Sequence, residues 1–407
     1  MTVAGHLQQD LAQRAAALFP EVQRLRRDLH QHPELSNQEE RTGRLLADYL
    51  CGLGLTVRAG VAGHGVVADL IGAQPGPTVA WRADMDALPI TEPADKPWCS
   101  RTPGVMHACG HDLHMAIALG AARLLKELQQ ELTGRVRFIF QPAEEGLPPG
   151  VAGGADLMVQ EGVLRDPPVA AIFGLHVAPM LPVGQIGYCP DIVMAGADQL
   201  RLAIHGRQAH AATPHHGVDA IVVAAQALTL LQTVISQGKD ARSPAVLTFG
   251  TIHGGSRFNI LAEGVVLEGT LRHHDAKVRE TILTRMHLLL EGLTAGTGAR
   301  YELVSQALYP VLRNDPELTA KSLDILRLGF GPRALVQMRP VMGSEDFAFY
   351  ARQIPAFYFF LGTRGPGVES QTLHSPDFDP DETALTVGVT AAALLLTGCN
   401  RREAAVG

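Results

Sequence analysis

The feature that most constrains this chain is a rhythm of strand-like and helix-like runs that changes once and then returns. After a helical opening, "LAQRAAALFPEVQRLRRDLH", the runs "GVVADLIG", "TVAWRADMD", "RVRFIFQPAEE" and "VAAIFGLHV" read as strands, and "DLHMAIALGAARLLKELQQEL" between them reads as an amphipathic helix. Parallel strands need long crossovers that helices supply, so this alternation predicts an α/β layer structure with a mostly parallel mixed sheet flanked by helices. From about Gly196 the order becomes strand "DQLRLAIHGR", helix "GVDAIVVAAQALTLLQTVIS", strand "AVLTFGTIHGG", strand "GVVLEGTLRHH", helix "VRETILTRMHLLLEGL" and strand "YELVSQAL". This βαββαβ order is the split-βαβ, ferredoxin-like sandwich of a small α+β domain. After about Val311 the first rhythm resumes through "ELTAKSLDILRLGF", "AFYFFLG" and "ETALTVGVTAAALLLTG". The expectation is therefore one discontinuous α/β domain, residues 1–193 and 306–407, interrupted by an inserted domain at 194–305. There is no tandem repeat and no low-complexity linker, so short connections join the two.

Composition narrows the partners. A net charge of −7 without any cluster of lysine and arginine leaves no electrostatic footprint for nucleic acid or an anionic membrane. A small molecule is the expected ligand. The opening "MTVAGHLQQDLAQ" lacks the cationic start and apolar core of a signal peptide, and no apolar run is long enough to span a bilayer, so a cytoplasmic protein is expected. Five cysteines, an odd and scattered number, argue for reduced thiols rather than a disulfide framework.

In open parallel sheets ligands bind beyond the carboxyl ends of the strands, and that is where this chain places its chemistry. "TVAW" leads to Asp84 and Asp86, "RVRFIF" to Glu144 and Glu145, and "VAAIFGL" to His176, while Cys109 and His111 stand just before a helix. Each has a bland reading: turn aspartates, a solvated glutamate pair, a core histidine, a buried thiol near a helix cap. Four segments converging on one edge favour a metal centre instead. Thiolate, imidazole and carboxylate together suit zinc best, with manganese, cobalt or nickel tolerated as carboxylates come to dominate. Two adjacent glutamates let one hold metal while the other takes a proton from water, which is the equipment of a hydrolase. Two rivals stay open: Cys109 as a nucleophile with His111 or His176 as its base, and a non-catalytic metal-binding module.

The motifs "HQHPELSNQEERT", "WRADMDALPI", "HACGHDLHMA", "QPAEEG", "FGLHV", "GRQAHAATPHHGVDA", "GSEDFAFY" and "LHSPDFD" run from about His30 to Asp379 in the order seen in dimetal N-acyl-amino-acid amidohydrolases. The chain resembles that group, which includes the hippurate and indoleacetyl-amino-acid hydrolases and aminoacylase-like metallopeptidases. The resemblance implies an aminopeptidase-like catalytic domain holding two divalent metal ions, Zn2+ or alternatively Mn2+, Co2+ or Ni2+. Their ligands would be Cys109, His111, Glu145, His176 and His374, with Glu144 as general base. Related families carry a histidine where this chain has Asp84, so His111 is expected to take that ligand role and Asp86 to orient it. The inserted domain resembles the family's lid and dimerisation domain. In it His210 would reach the active site of a partner subunit and steady the oxyanion, and Asn259 and Arg272 would face the substrate's carboxylate. Two departures bear on substrate preference: Ala262 stands where relatives have proline, and "EEGLPPGVAGGAD" is longer than usual. The implied activity is cleavage of the amide bond of an N-acyl amino acid, with peptides as the alternative substrate and a homodimer as the implied assembly.

Overall fold

The computed structural model describes residues 3–146, 153–369 and 371–400, so the middle of the long "EEGLPPGVAGGAD" segment, 147–152, lies outside the described residues. In chain order the elements are α1 (Val3–Gln31), α2 (Glu40–Gly52), β1 (Thr56–Val61), β2 (Gly65–Ile71), β3 (Gln74–Asp84), α3 (His111–Glu127), β4 (Thr133–Gln141), α4 (Gly154–Gln160), β5 (Val169–Pro182), β6 (Ile186–Tyr188) and β7 (Ile192–Met194). They continue with β8 (Gly196–His205), α5 (Ala220–Ser236), β9 (Ala245–Gly254), β10 (Gly264–His273), α6 (Ala276–Thr297), β11 (Arg300–Tyr309) and β12 (Leu312–Arg313). The chain closes with α7 (Pro316–Phe330), β13 (Leu335–Gln337), α8 (Ala348–Ala351), β14 (Ala356–Arg364) and α9 (Ala384–Asn400). Two compact units result: the first is Met1–Val193, Arg313–Arg339 and Phe349–Gly407, the second Met194–Leu312 and Pro340–Ala348.

In the first unit an eight-stranded sheet runs β1-β2-β4-β3-β5-β14-β6-β13. Its centre, β4-β3-β5-β14, is parallel, while β1, β2 and β6 add antiparallel pairings. The central strands are buried over most of their length, β3 from Thr78 onward, which is why they read as continuous apolar runs rather than alternating ones. α3 packs against α1, α9 and β3 and is buried on most sides, so between Met115 and Leu125 it is apolar apart from Arg123. β5 continues through His176 to Pro182, so that histidine lies within the strand instead of just after it.

The second unit is a four-stranded antiparallel sheet in the order β11-β8-β10-β9, its strands ranked 4-1-3-2 along the unit's own chain. Alternation is clear in β8, where Leu200, Leu202 and Ile204 point into the core and Gln199 and Arg201 point out. α5 and α6 cover the apolar face, and each starts on an aspartate side chain: Asp219 accepts the N–H of Ile221, and Asp275 that of Lys277.

Candidate metal centre

β3, β4 and β5 are parallel, so their carboxyl ends share one edge, with Asp84 in register beside Gln141. Glu144 and Glu145 follow β4 after a turn at Pro142. α3 starts at His111, preceded by Gly110 in the left-handed region at φ 87°. A side chain on Gly110 would also bring its Cβ within 2.5 Å of Val177 Cγ2, so the middle position of "CGH" admits only glycine. His374 arrives from a loop: its backbone, at φ 60°, donates its N–H to the carbonyl of Ala108 at 2.9 Å.

Obligatory hydrogen bonds fix which ring nitrogen each histidine offers. His111 Nδ1 lies 2.8 Å from the backbone carbonyl of Asp86, which can only accept, so Nδ1 carries a proton and Nε2, buried and without a partner, is the nitrogen on offer. His176 likewise donates from Nδ1 to the Val177 carbonyl at 2.8 Å, and its Nε2 stands 3.3 Å from Cys109 Sγ. His374 Nε2 lies 3.3 Å from the same sulfur and 3.4 Å from Glu145 Oε1. Glu145 Oε1 is 3.8 Å from His111 Nε2. Three overlapping triads, Cys109–His111–His176, Cys109–Glu145–His374 and His111–Glu144–Glu145, each hold their donor atoms within 4.8 Å of one another. The structure thus gathers Cys109, His111, Glu144, Glu145, His176 and His374. His374 is exposed, so the cluster opens to solvent on its side.

The electrostatics of this cluster ask for a cation. Burial opposes charge on His111, yet the carboxylates of Asp84, Asp86 and Glu145 outweigh it and lift the imidazole to about 10. Burial, reinforced by Glu145 and Glu144, drives the Cys109 thiol well above its ordinary range. Burial and the neighbouring His114 push His176 down to about 4. Surplus negative charge, thiol and imidazole donors, and a buried nitrogen with no partner fit a site for divalent metal.

Of the supports around the cluster, only Asp86 is expected from the sequence and its resemblance. Asp86 collects the Ser36 hydroxyl at 2.6 Å and the Glu145 N–H at 2.9 Å on one oxygen, tying the strand end to the glutamate turn. Burial would raise its pKa, but the bonds from His111 and Ser36 hold it below the usual carboxylate range. Glu39 accepts the N–H of Ala143 at 2.8 Å, a non-glycine residue held at φ 57° just before the glutamates. Burial and the nearby Asp86 raise Glu39 to about 7. Asp84 accepts from Arg82 and from His114, a histidine the sequence left without a role. The one signal for it was its spacing, three residues after His111 on the same helix face.

The remaining predicted residues belong to the second unit, which separates them. Asn259 and His210 are neighbours, with the Ala211 N–H donating to the Asn259 carbonyl at 3.1 Å. His210 is exposed, and its Nδ1 accepts the Ala212 N–H at 3.0 Å, so Nε2 bears the proton and can donate outward. Asn259 Oδ1 has no hydrogen-bond partner. Arg272 stands near the far end of β10, half-buried, its guanidinium donating to the Thr270 and Ser344 hydroxyls. Burial lowers its pKa. At about 3.3 Å per residue, β10 puts roughly 25 Å between the two places. Ala262 is buried, and its carbonyl accepts the Ala220 N–H at 3.0 Å at the start of α5.

The chain is similar to several known proteins. A model of the peptidase family M20/M25/M40 matches residues 80–397. The putative amidohydrolase YhaA of Bacillus subtilis (strain 168) is 37% identical over 390 residues, covering 96% of each chain. The N-acetyl-L-cysteine deacetylase of the same organism is 38% identical over 361 residues, 89% of this chain and 84% of that one. Among solved structures, the Bacillus subtilis YxeP protein, described as a dinuclear metal binding peptidase, superposes with a TM-score of 0.82 at 35% identity, covering 95% of this chain and 99% of that one.

Proposed function

The chain belongs to the peptidase family M20/M25/M40 and is a hydrolase of amide bonds, and from that premise we propose that it cleaves N-acyl amino acids to a carboxylic acid and a free amino acid. The observation that carries this reading is the convergence of Cys109, His111, Glu145, His176 and His374, from separate chain segments, with Glu144 beside them. These five would hold two divalent ions, with zinc the best match to the donor set. Bound there, the ions would polarise the amide carbonyl and acidify water.

The chain's own groups do the rest. Glu144 takes a proton from the attacking water and passes it to the departing nitrogen. Asp86 holds His111 through its backbone carbonyl and fixes Glu145 through the N–H it accepts. His210 offers an outward N–H to the developing oxyanion, Asn259 stands beside it, and Arg272 pairs with the substrate carboxylate. Because His210 and Arg272 lie at opposite ends of the second unit, one copy of it cannot bring both to a small substrate. A homodimer in which two copies serve each site resolves this. The edge strand β9, with half-exposed Ile252 and an unpaired backbone edge, suits such pairing. The metal-free cysteine amidase is disfavoured, because a buried thiol surrounded by carboxylates is not activated as a nucleophile. Cytoplasmic residence is part of the same reading: the five cysteines are free, and among the described residues no helix is long and apolar enough to cross a membrane.

The test is a panel of N-acetyl, N-benzoyl and dipeptide substrates, each assayed with zinc, manganese, cobalt and nickel in turn. Acyl amino acids turned over in a chelator-sensitive way are the expected result. Cleavage of dipeptides alone would move the reading to a dipeptidase, and chelator-resistant turnover would revive the thiol mechanism.

A further inference from the structure

The segment "HACGHDLH" contains a histidine that the cluster above does not use. His114 is buried, its ring centroid 5.4 Å from that of His111 and 5.0 Å from that of His176. Its ligating atom also lies within 4.8 Å of those of Asp84 and His111, as a further metal ligand's would. Its hydrogen bonds assign it differently. The backbone N–H of Val177 points at His114 Nε2 from 3.1 Å, and since an amide N–H only donates, Nε2 must present its lone pair to it. Nδ1 therefore keeps the proton and donates it to Asp84 Oδ1 at 2.6 Å. The other oxygen of Asp84 is held by Arg82 at 2.6 Å, and Arg82 is itself braced on Gln141 at 2.8 Å. Both nitrogens of His114 are committed to protein.

What His114 holds is the residue that orients a candidate ligand. Val177 gives its N–H to His114 and receives the Nδ1 proton of His176 on its carbonyl at 2.8 Å. That second bond leaves His176 Nε2 turned toward Cys109 Sγ. The Val177 side chain is pinned as well, against the bare face of Gly110. We infer that His114, oriented by Asp84, is a positioning residue that fixes Val177 so that His176 presents Nε2 to the metal, and that His114 takes no metal itself. The inference rests on the reading of His176 as a ligand.

The test uses the full chain, stripped with chelator and titrated calorimetrically with zinc, alongside nitrogen NMR of the histidine rings. In the wild-type protein, zinc should shift the Nε2 signals of His111 and His176 and leave His114 in its Nδ1–H form. Removing such an orienting partner costs about 10- to 100-fold in metal affinity, so His114→Ala should weaken one of two zinc-binding events by that factor and spare the other. His114→Gln can still donate to Asp84 and accept from Val177, and should recover most of the loss. The Gln variant and the wild-type spectra decide the matter even where the alanine variant fails to fold. A zinc-induced shift at His114 Nε2, unchanged affinities in His114→Ala, or a Gln variant as weak as the alanine one would each overturn the inference. Wild-type protein that binds no zinc at all would instead sink the metal reading on which it stands.

Discussion

Two buried polar clusters lie side by side in the first unit, and they differ in how their charge is settled. In one, Asp112 sits 2.8 Å from both Arg26 Nε and His30 Nδ1, His30 reaches Glu92 at 3.0 Å, and Glu382 takes Arg26 at 3.3 Å and Arg27 at 2.6 Å. Cations and carboxylates alternate there. Burial and Arg26 work against charge on His30, yet Asp112 and Glu92 raise its pKa. The other cluster includes the residue just before Asp112, His111, and gathers carboxylates around imidazoles and a thiol, with the cation of Arg82 already committed to Asp84. A cluster that neutralises itself holds a fold together; one with surplus negative charge is built for something that arrives. The same eight-residue motif feeds both.

That contrast can be broken in several ways. The largest effect is expected at Glu144→Ala: kcat should fall by about 10²- to 10⁴-fold while zinc stoichiometry stays at the wild-type value. Retained turnover would remove Glu144 from the chemistry. Arg26→Met attacks the self-neutralised cluster and leaves Asp112 a buried, poorly compensated charge. It should cost about 3–5 kcal/mol of stability in urea denaturation and leave the number of zinc ions bound unchanged. Loss of zinc without loss of stability would erase the distinction between the clusters.

Arg272→Ala, in the second unit, removes a charged hydrogen-bond donor and should lower kcat/KM about 10- to 100-fold, mainly through KM. An effect confined to kcat would contradict its role at the substrate carboxylate. The smallest effect is at Glu39, whose carboxyl is raised from 4.5 to about 7 in the folded protein. A raised acid contributes stability that is complete below 4.5 and lost as pH rises through about 7. Glu39→Gln, a permanent mimic of the protonated form that still accepts from Ala143, should therefore be more stable than wild type by about 1–2 kcal/mol at pH 8. The two proteins should converge at pH 4, as thermal melts across that range would show.

The sequence reaches different depths in different parts of this molecule. The layer order and the inserted βαββαβ unit are legible because buried parallel strands and half-buried antiparallel ones leave distinct periodicities. Cys109 and His111 stand out because they open a plainly buried helix, and Glu144 and Glu145 because they follow a plainly buried strand. His374 is visible only through resemblance, since its approach depends on a left-handed backbone and one bond to Ala108 far away in the chain. The division of labour between His111 and His114 is invisible for another reason. Both are buried histidines on one helix face, and only their hydrogen-bond partners, a carbonyl for one and an N–H for the other, tell which nitrogen is free. The distance between His210 and Arg272 also required strand register, which composition does not encode.

The most direct measurement is anomalous X-ray diffraction at the zinc edge on crystals of the zinc-loaded protein. Two peaks enclosed by Cys109, His111, Glu145, His176 and His374, with Glu144 adjacent and His114 still bonded to Asp84 and Val177, are predicted. Zinc peaks that avoid these side chains, or a peak coordinated by His114, would contradict the account.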